Sequence, residues 1–231
     1  MMPHSQAPSI PKELSDKLKI FADGAHQQYS KKELRRLMSY MDSVIGGRPS
    51  APEGSQQRPW RGYFPELRAQ RFWTSADCAW LEKVETVLRS CEAMPREVKA
   101  HRKTVEWSSY SAAIRYPDLK TDTWTVEELY NQIPNNRAKK IFPETVAALE
   151  SINEYIIGEA AFLCLAPHTT IPMHTDNSNT QLTCLYGIVV PSDCGIHVAG
   201  EERLLQERSA LFFDHSFPHH PWNNSDQARI V

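Results

Sequence analysis

Residues 182–198 read LTCLYGIVVPSDCGIHV, which is two short apolar runs separated by Pro191, Ser192 and Asp193. Similar runs recur from Gly158 to the C-terminus, and Pro, Gly, Asp or Asn residues separate them, at residues 161–165, 203–205, 210–213 and 228–231. Short β-type runs at a spacing of roughly 8–12 residues are typical of an antiparallel sandwich or barrel. The chain from Gly158 onward therefore predicts a jelly roll.

The first two thirds of the chain have helical rather than alternating spacing. Apolar stripes run through residues 11–45, and Ser30 stands three residues before Glu33, the arrangement of a capping box that begins a second helix. Apolar spacing also predicts helices at residues 79–94 and 143–155, with a strand and turn at 113–120. Thr125 together with Glu128 predicts the start of a short helix at residues 125–130. The predicted class is α+β, with a mainly β core and with N-terminal and flanking helices.

A polar segment separates the N-terminal helices from the rest of the chain. Residues 48–58 are rich in Pro, Ser, Gly and Gln and lack apolar periodicity, which is typical of a linker. We therefore predict a helical arm with its linker at residues 1–58 and the main domain at residues 59–231. The amphipathic helix pair has a spare face, from which we predict a homodimer through the N-terminal helices.

Composition excludes several classes of function. The chain has 231 residues, with 26 Lys and Arg against 28 Asp and Glu, so it has no basic field for nucleic acid or anionic membranes. It has no apolar run of about 18 residues, and because residues 1–11 are polar we expect no cleaved secretory signal. Its five cysteines are an odd number without a CxxC pair, which argues against a disulfide framework and a zinc knuckle. These features predict a cytoplasmic protein with reduced thiols.

Histidines concentrate in the β half, and two places there carry metal-ligand spacing. His174 and Asp176 are two residues apart in a loop, so on an extended segment both side chains point to the same side. A third ligand from a distant strand would complete a set of two histidines and one carboxylate, which binds Fe(II) and leaves open positions. The candidates are His219 and His220, of which only one can face the metal because adjacent side chains on a strand point oppositely.

Arg229 opens the last predicted strand, ten residues after His219. A buried guanidinium near a metal needs an anion, and a carboxylate matches its fork of donors. We therefore predict that Arg229 binds a carboxylate.

The chain from Trp60 onward resembles the aspartyl/asparaginyl β-hydroxylase family of Fe(II)/2-oxoglutarate-dependent oxygenases. The first part of the resemblance is FPELRAQRFW at residues 64–73, the helix around Trp80 and FPETVAAL at residues 142–149. The second part is more specific, and comprises PMHTD (172–176), YGIVVP (186–191), DHSFPH (214–219), Trp222 and Arg229. These segments occur in the order found in the family.

The resemblance implies a double-stranded β-helix core that holds one Fe(II) and uses 2-oxoglutarate and O2. By position, His174, Asp176 and His219 match the metal ligands and catalytic centre, and Arg229 matches the residue that holds the far carboxylate of 2-oxoglutarate. Thr183 and Leu185 depart from the pattern, because protein-modifying members have a basic residue and a histidine at these positions.

The expected function is therefore oxidation, by default hydroxylation, of an unactivated C–H bond in a small molecule. A free or carrier-bound amino acid or a natural product fits this expectation, and nucleic acid and membranes are not expected partners. Three alternatives remain at this stage. They are a β-hydroxylase of Asp or Asn residues in a peptide or protein, a cupin-like metal enzyme that is not an oxygenase, and a binding module.

Overall fold

The computed structural model describes residues 10–46, 51–102, 107–110 and 122–231. The chain forms two compact units that do not follow the linear order of the sequence. The first unit lies within residues 1–71, 173–183 and 213–219, and the second within residues 72–172, 184–212 and 220–231. The domain boundary predicted after residue 58 stays a prediction.

The first unit begins with two helices, α1 (Lys12–Gln28) and α2 (Lys31–Gly46). Glu33 accepts hydrogen bonds from the Ser30 backbone N–H at 2.9 Å and from the Ser30 hydroxyl at 2.7 Å, so the predicted capping box forms. These bonds lower the pKa of Glu33. Leu34 and Met41 of α2 are buried, whereas α1 buries no residue. The remainder of this unit is irregular, and it contains the loops that hold the candidate site.

The helices of the second unit are α3 (Ala79–Ser90), α4 (Ala93–Arg102), α5 (Asn136–Ile141) and α6 (Pro143–Glu150). Predicted helix 79–94 therefore ends early and is followed by a separate helix. Predicted helix 143–155 ends at Glu150, and a 3-10 turn follows it at Asn153–Tyr155.

Among the described residues, twelve strands form three sheets, mainly within the second unit. In chain order they are β1 (Phe72–Trp73), β2 (Ser108–Ser109), β3 (Trp124–Asn131), β4 (Ile133–Pro134), β5 (Glu159–Leu165), β6 (Thr169–Thr170), β7 (Thr183–Tyr186), β8 (Cys194–Val198), β9 (Glu201–Leu204), β10 (Ala210–Phe213), β11 (His219–Asn223) and β12 (Arg229–Ile230). The strand orders are β1-β10-β7, β6-β11-β8-β9 and β12-β5-β3-β2, with β4 beside β3. The pairs β3–β5, β5–β12, β6–β11 and β8–β9 are antiparallel.

The mixture of helices with antiparallel sheets confirms the α+β class. One predicted element is wrong: residues 125–130 lie in strand β3 and not in a helix. Strand β3 pairs with β5 from Trp124↔Leu165 to Asn131↔Glu159, and a register shift between Glu128 and Tyr130 interrupts its alternation. Thr125 and Glu128, whose spacing predicted a helix start, both pair with β5, and at the bulge the adjacent residues Leu129 and Tyr130 are both buried.

The strand and turn predicted at 113–120 lie outside the described residues. Among the helices that the structure describes, none combines the length and the apolar character that a membrane span requires.

Candidate metal centre

Three side chains of the first unit converge on one point. A ligand atom from each of His174, Asp176 and His219 lies within 4.8 Å of the others. His219 Nε2 is 3.7 Å from Asp176 Oδ2. Two imidazoles and one carboxylate are a donor set that suits a divalent transition metal such as Fe(II) and leaves coordination positions open. The residues present therefore fit the metal that the sequence predicted.

Backbone pairing explains why two histidines 45 positions apart in the sequence are neighbours. The His174 N–H donates to the His219 carbonyl at 2.9 Å, and the His219 N–H donates to the His174 carbonyl at 2.8 Å. This is the reciprocal pair of an antiparallel bridge. The two ring centroids lie 4.2 Å apart, so the fold holds both imidazoles side by side.

The tautomer of His219 is fixed by its second nitrogen. Nδ1 lies 2.9 Å from the Phe217 carbonyl oxygen, and a carbonyl can only accept, so Nδ1 carries the proton. Nε2 then presents its lone pair on the side of Asp176, as a metal ligand must. His219 is buried, and the ring of Phe213 packs against it at 5.0 Å between centroids.

The structure distinguishes between the two adjacent histidines. His219 belongs to the cluster, whereas the ring of His220 stacks on His197 of the second unit at 4.8 Å. The alternation of side chains along β11 separates them, as the sequence predicted for such a pair. Within the part of the chain that the structure describes, His220 is not among the possible ligands.

Asp176 is more exposed than His219, with 41% of its side chain accessible against 4% for His219. Its backbone N–H donates to the His215 carbonyl at 2.9 Å, and its own carbonyl accepts from the Trp60 N–H at 3.1 Å. The buried ring of His215 places Nδ1 3.4 Å from Asp176 Oδ2 and 2.9 Å from Thr183 Oγ1. His215 therefore lies beside the Asp176 carboxylate, and Thr183 makes a polar contact with the His215 ring.

Arg229 lies in the second unit, at the start of β12, and is only 2% exposed. Its Nε and Nη1 atoms find no hydrogen-bond partner among the described residues. Burial lowers its pKa to about 10, which still leaves the guanidinium charged at neutral pH. A buried cation with unused donors is costly unless an anion binds it. Arg229 thus fits a carboxylate ligand, the role that the resemblance implies.

The sequence did not predict the buried polar contact between Gln57 and the residues Asp214 and Ser216. Gln57 and Ser216 are inaccessible to solvent, and Asp214 is 2% exposed. Ser216 and Asp214 lie in the DHSFPH motif, but Gln57 lies in the segment predicted as a linker. Its neighbours are polar and unpatterned, so no spacing rule could have identified it.

Comparison with known proteins gives a consistent result. The family model for "Aspartyl/Asparaginyl beta-hydroxylase" matches residues 81–231. An aspartyl/asparaginyl beta-hydroxylase of Mus musculus is 26% identical over 174 residues, which is 71% of this chain and 23% of the relative. Aspartate beta-hydroxylase domain-containing protein 2 of Xenopus tropicalis is 26% identical over 197 residues, or 81% of this chain and 51% of the relative.

A relative from Rhizobium tropici is named for a different activity. An ornithine lipid ester-linked acyl 2-hydroxylase of Rhizobium tropici is 32% identical over 128 residues, which is 50% of this chain and 45% of the relative. The chain thus spans between about a quarter and about a half of the length of these curated relatives. The family model covers well over half of the chain, including all three residues of the His-Asp-His cluster and Arg229. The chain belongs to the aspartyl/asparaginyl beta-hydroxylase family.

Proposed function

We propose that this chain is an Fe(II)- and 2-oxoglutarate-dependent hydroxylase with a double-stranded β-helix core. The observation that carries the proposal is the convergence of His174, Asp176 and His219 within 4.8 Å. Family membership supports hydroxylation as the reaction, since the named relatives are hydroxylases. The buried, charged and unpartnered guanidinium of Arg229 supports a dicarboxylate co-substrate.

In this proposal the three cluster residues hold the metal, each through one atom. Fe(II) with 2-oxoglutarate and O2 supplies the oxidising power that inserts one oxygen atom into a C–H bond, while the keto acid becomes succinate and CO2. Asp176 provides one negative charge, and both imidazoles must be neutral to coordinate. The bond from His219 Nδ1 to Phe217 keeps the coordinating nitrogen free of a proton.

Arg229 orients the co-substrate by binding the carboxylate that is farther from the keto group. Two of its guanidinium nitrogens have hydrogen-bonding capacity that no described residue uses. Charge-assisted bonds to a carboxylate are among the stronger polar contacts, and a fork of two donors fixes orientation as well as affinity. Positioning of the keto acid is therefore the contribution expected of this residue.

The substrate that the relatives favour is an Asp or Asn residue in a peptide or protein. The family description and the Mus musculus relative both carry this activity in their names. This support is stronger than that for a free small molecule, which was the expectation from sequence. We therefore place β-hydroxylation of a peptide Asp or Asn first.

The second candidate is hydroxylation of a small molecule or an acyl chain. The Rhizobium tropici relative, at 32% identity, is named for an acyl 2-hydroxylation. Thr183 and Leu185 also stand where the resemblance expects a basic residue and a histidine in protein-modifying members. Thr183 Oγ1 lies 2.9 Å from Nδ1 of His215, so in this chain the position carries an uncharged side chain that makes a polar contact beside the cluster.

A mass-spectrometric assay separates these candidates. The protein is incubated with Fe(II), 2-oxoglutarate, O2 and either Asp- and Asn-containing peptides or acyl amino acids and acyl lipids. A substrate must gain one oxygen atom, with succinate formed in equal amount. His174→Ala must abolish both products, whereas His168→Asn, at an exposed histidine that pairs with Asp226, must retain them. Succinate formation that persists unchanged in His174→Ala would overturn the proposal.

A further inference from the structure

Residues 57–62 attach to both loops that carry the candidate ligands. The Arg58 N–H donates to the Ser216 carbonyl at 2.7 Å, and the Thr175 hydroxyl donates to the Arg58 carbonyl at 2.6 Å. The N–H groups of residues 60, 61 and 62 donate to the carbonyls of Asp176 and Asn177 at 3.0–3.1 Å. The 57–62 segment therefore bridges the His174–Asp176 loop and the loop that precedes His219. All of these contacts lie within the first unit.

Gln57 is the buried end of this segment. It has no accessible surface, and its side-chain amide donates to Asp214 Oδ2 at 2.8 Å and to Ser216 Oγ at 3.0 Å. Both partners lie about 160 residues further along the chain. Donors that are fully buried and directed at a carboxylate form charge-assisted bonds in a low-dielectric setting.

Asp214 and Ser216 form the turn that leads to His219. Asp214 Oδ1 accepts from the Ser216 N–H at 2.9 Å and from the Ser216 hydroxyl at 2.5 Å. The Asp214 N–H in turn donates to the Arg71 carbonyl at 2.9 Å. The carboxylate thus accepts from two parts of the chain, Ser216 and Gln57, and among the hydrogen bonds described here Gln57 alone donates to its second oxygen.

We propose that Gln57 is a positioning residue of the metal centre, which acts by fixing the Asp214–Ser216 turn and, through it, the placement of His219. The inference rests on the proposed metal site. It assigns a role in that site to a residue outside the matched range 81–231 and inside a segment without recognisable pattern. Gln57 touches neither metal nor substrate.

The Asp214 carboxylate is buried and accepts a hydrogen bond from the Gln57 amide. Without the Gln57 amide, Asp214 Oδ2 loses its donor while it stays buried, which costs the desolvation of an unpaired acceptor. The turn must then rearrange to reach another donor or water. His219 follows it directly along the chain, and changes to residues that orient a metal ligand typically weaken metal affinity by about 10- to 100-fold.

Gln57→Met tests the proposal, with Gln56→Met as the matched control. The two glutamines are adjacent, but Gln56 is exposed. Co(II) is titrated anaerobically into each purified protein, and both the dissociation constant and the visible Co(II) spectrum are recorded. We expect Gln57→Met to weaken Co(II) binding by about 10-fold and to alter the spectrum, while Gln56→Met matches the wild type.

A purely structural role makes a different prediction. It lowers the thermal midpoint of the metal-free protein but leaves the affinity and the spectrum of the folded fraction unchanged, and that result would overturn the proposal. If Gln57→Met does not fold, Ser216→Ala replaces it, because this change removes one acceptor of the Gln57 amide and must show the same weakening. Failure of the wild-type protein to bind Co(II) would contradict the metal site itself, and is thereby distinguished from failure of the Gln57 proposal alone.

Discussion

Two charged side chains, Asp214 and Arg229, are each only 2% exposed, and they are compensated in different ways. Asp214 is satisfied internally, by Ser216 and by the amide of Gln57. Arg229 leaves Nε and Nη1 without a bond to any described residue. The first arrangement satisfies a buried charge within the protein, and the second is consistent with the proposal that Arg229 binds a carboxylate ligand.

Stability at acidic pH tests the environment of Asp214. Burial raises its pKa above the ordinary value of 3.8. The folded state therefore keeps a proton that the unfolded chain has lost, so the stabilisation from this group is complete below pH 3.8 and is lost as the pH rises through the raised pKa.

The measurement is urea unfolding of the metal-free wild type and of Asp214→Asn from below pH 3.8 upward through the raised pKa of Asp214. We expect the wild-type free energy of unfolding, relative to the variant, to fall with rising pH by roughly 1 kcal/mol for each unit of the window. A difference that grows with pH would mean that the carboxylate is stabilised, not penalised, by its site.

Arg229→Met separates stability from binding. The change removes a buried charge that lacks a protein partner, and replacement of such charges by apolar side chains is often neutral or stabilising. We expect the metal-free variant to unfold at a temperature no lower than the wild type, while its affinity for 2-oxoglutarate falls by at least about 10-fold. Differential scanning calorimetry and isothermal titration calorimetry measure the two effects. A less stable variant with unchanged 2-oxoglutarate affinity would show that Arg229 is structural.

Spacing placed His174 and Asp176 on one side of an extended segment and left His219 and His220 as candidates for the third ligand, and the family resemblance selected His219. The structure brings His174, Asp176 and His219 together, and their role as ligands stays a prediction. Gln57 was not predictable. Its contacts depend on residues more than 150 positions away, and its local sequence has no period that links it to them.

At the scale of elements, the sequence patterns predicted strands β10 and β5 but assigned the wrong element type to residues 125–130. Strand β10 occupies Ala210–Phe213 as expected, and β5 extends the expected run by two residues. The helix predicted at residues 125–130 was wrong because Thr125 and Glu128 have the spacing of a helix start although both residues pair with β5 in strand β3. Pairing with β5 decided the outcome, and such long-range pairing is absent from local propensity.

Gly187 illustrates a constraint that belongs to the loop after β7. A Cβ atom at this position would lie 2.1 Å from the backbone oxygen of Gln206, so the two chain segments can approach only with glycine. Gly187→Ala is expected to lower the free energy of unfolding by at least about 2 kcal/mol, since backbone cannot move aside cheaply.

Gly24→Ala provides the matched comparison. Gly24 lies inside α1, and a Cβ there meets nothing within 4 Å, so alanine is expected to stabilise by about 0.5–1 kcal/mol. Urea unfolding of both variants measures the two effects. Equal effects of the two substitutions would contradict the close approach at Gly187.

At the scale of the whole molecule, the first unit gathers three separate parts of the chain. Residues 173–183 and 213–219 supply the candidate ligands, and the N-terminal part supplies the 57–62 segment that joins their loops. Composition changes along the chain indicate a single boundary after residue 58, but they do not reveal that segments distant in sequence belong to one unit. The expected homodimer through the N-terminal helices stays a prediction, with Ile20 and Phe21 of α1 72% and 56% exposed.

The most direct test of the account is an anaerobic titration of the protein with Fe(II) and then with 2-oxoglutarate, followed by visible absorption. The account predicts a saturable charge-transfer band that neither component gives alone. The band must disappear in His174→Ala and persist in His168→Asn. Bound Fe(II) without this band on addition of 2-oxoglutarate, or a band that survives in His174→Ala, would contradict the claim that the His174, Asp176 and His219 cluster holds the iron of a 2-oxoglutarate-dependent hydroxylase.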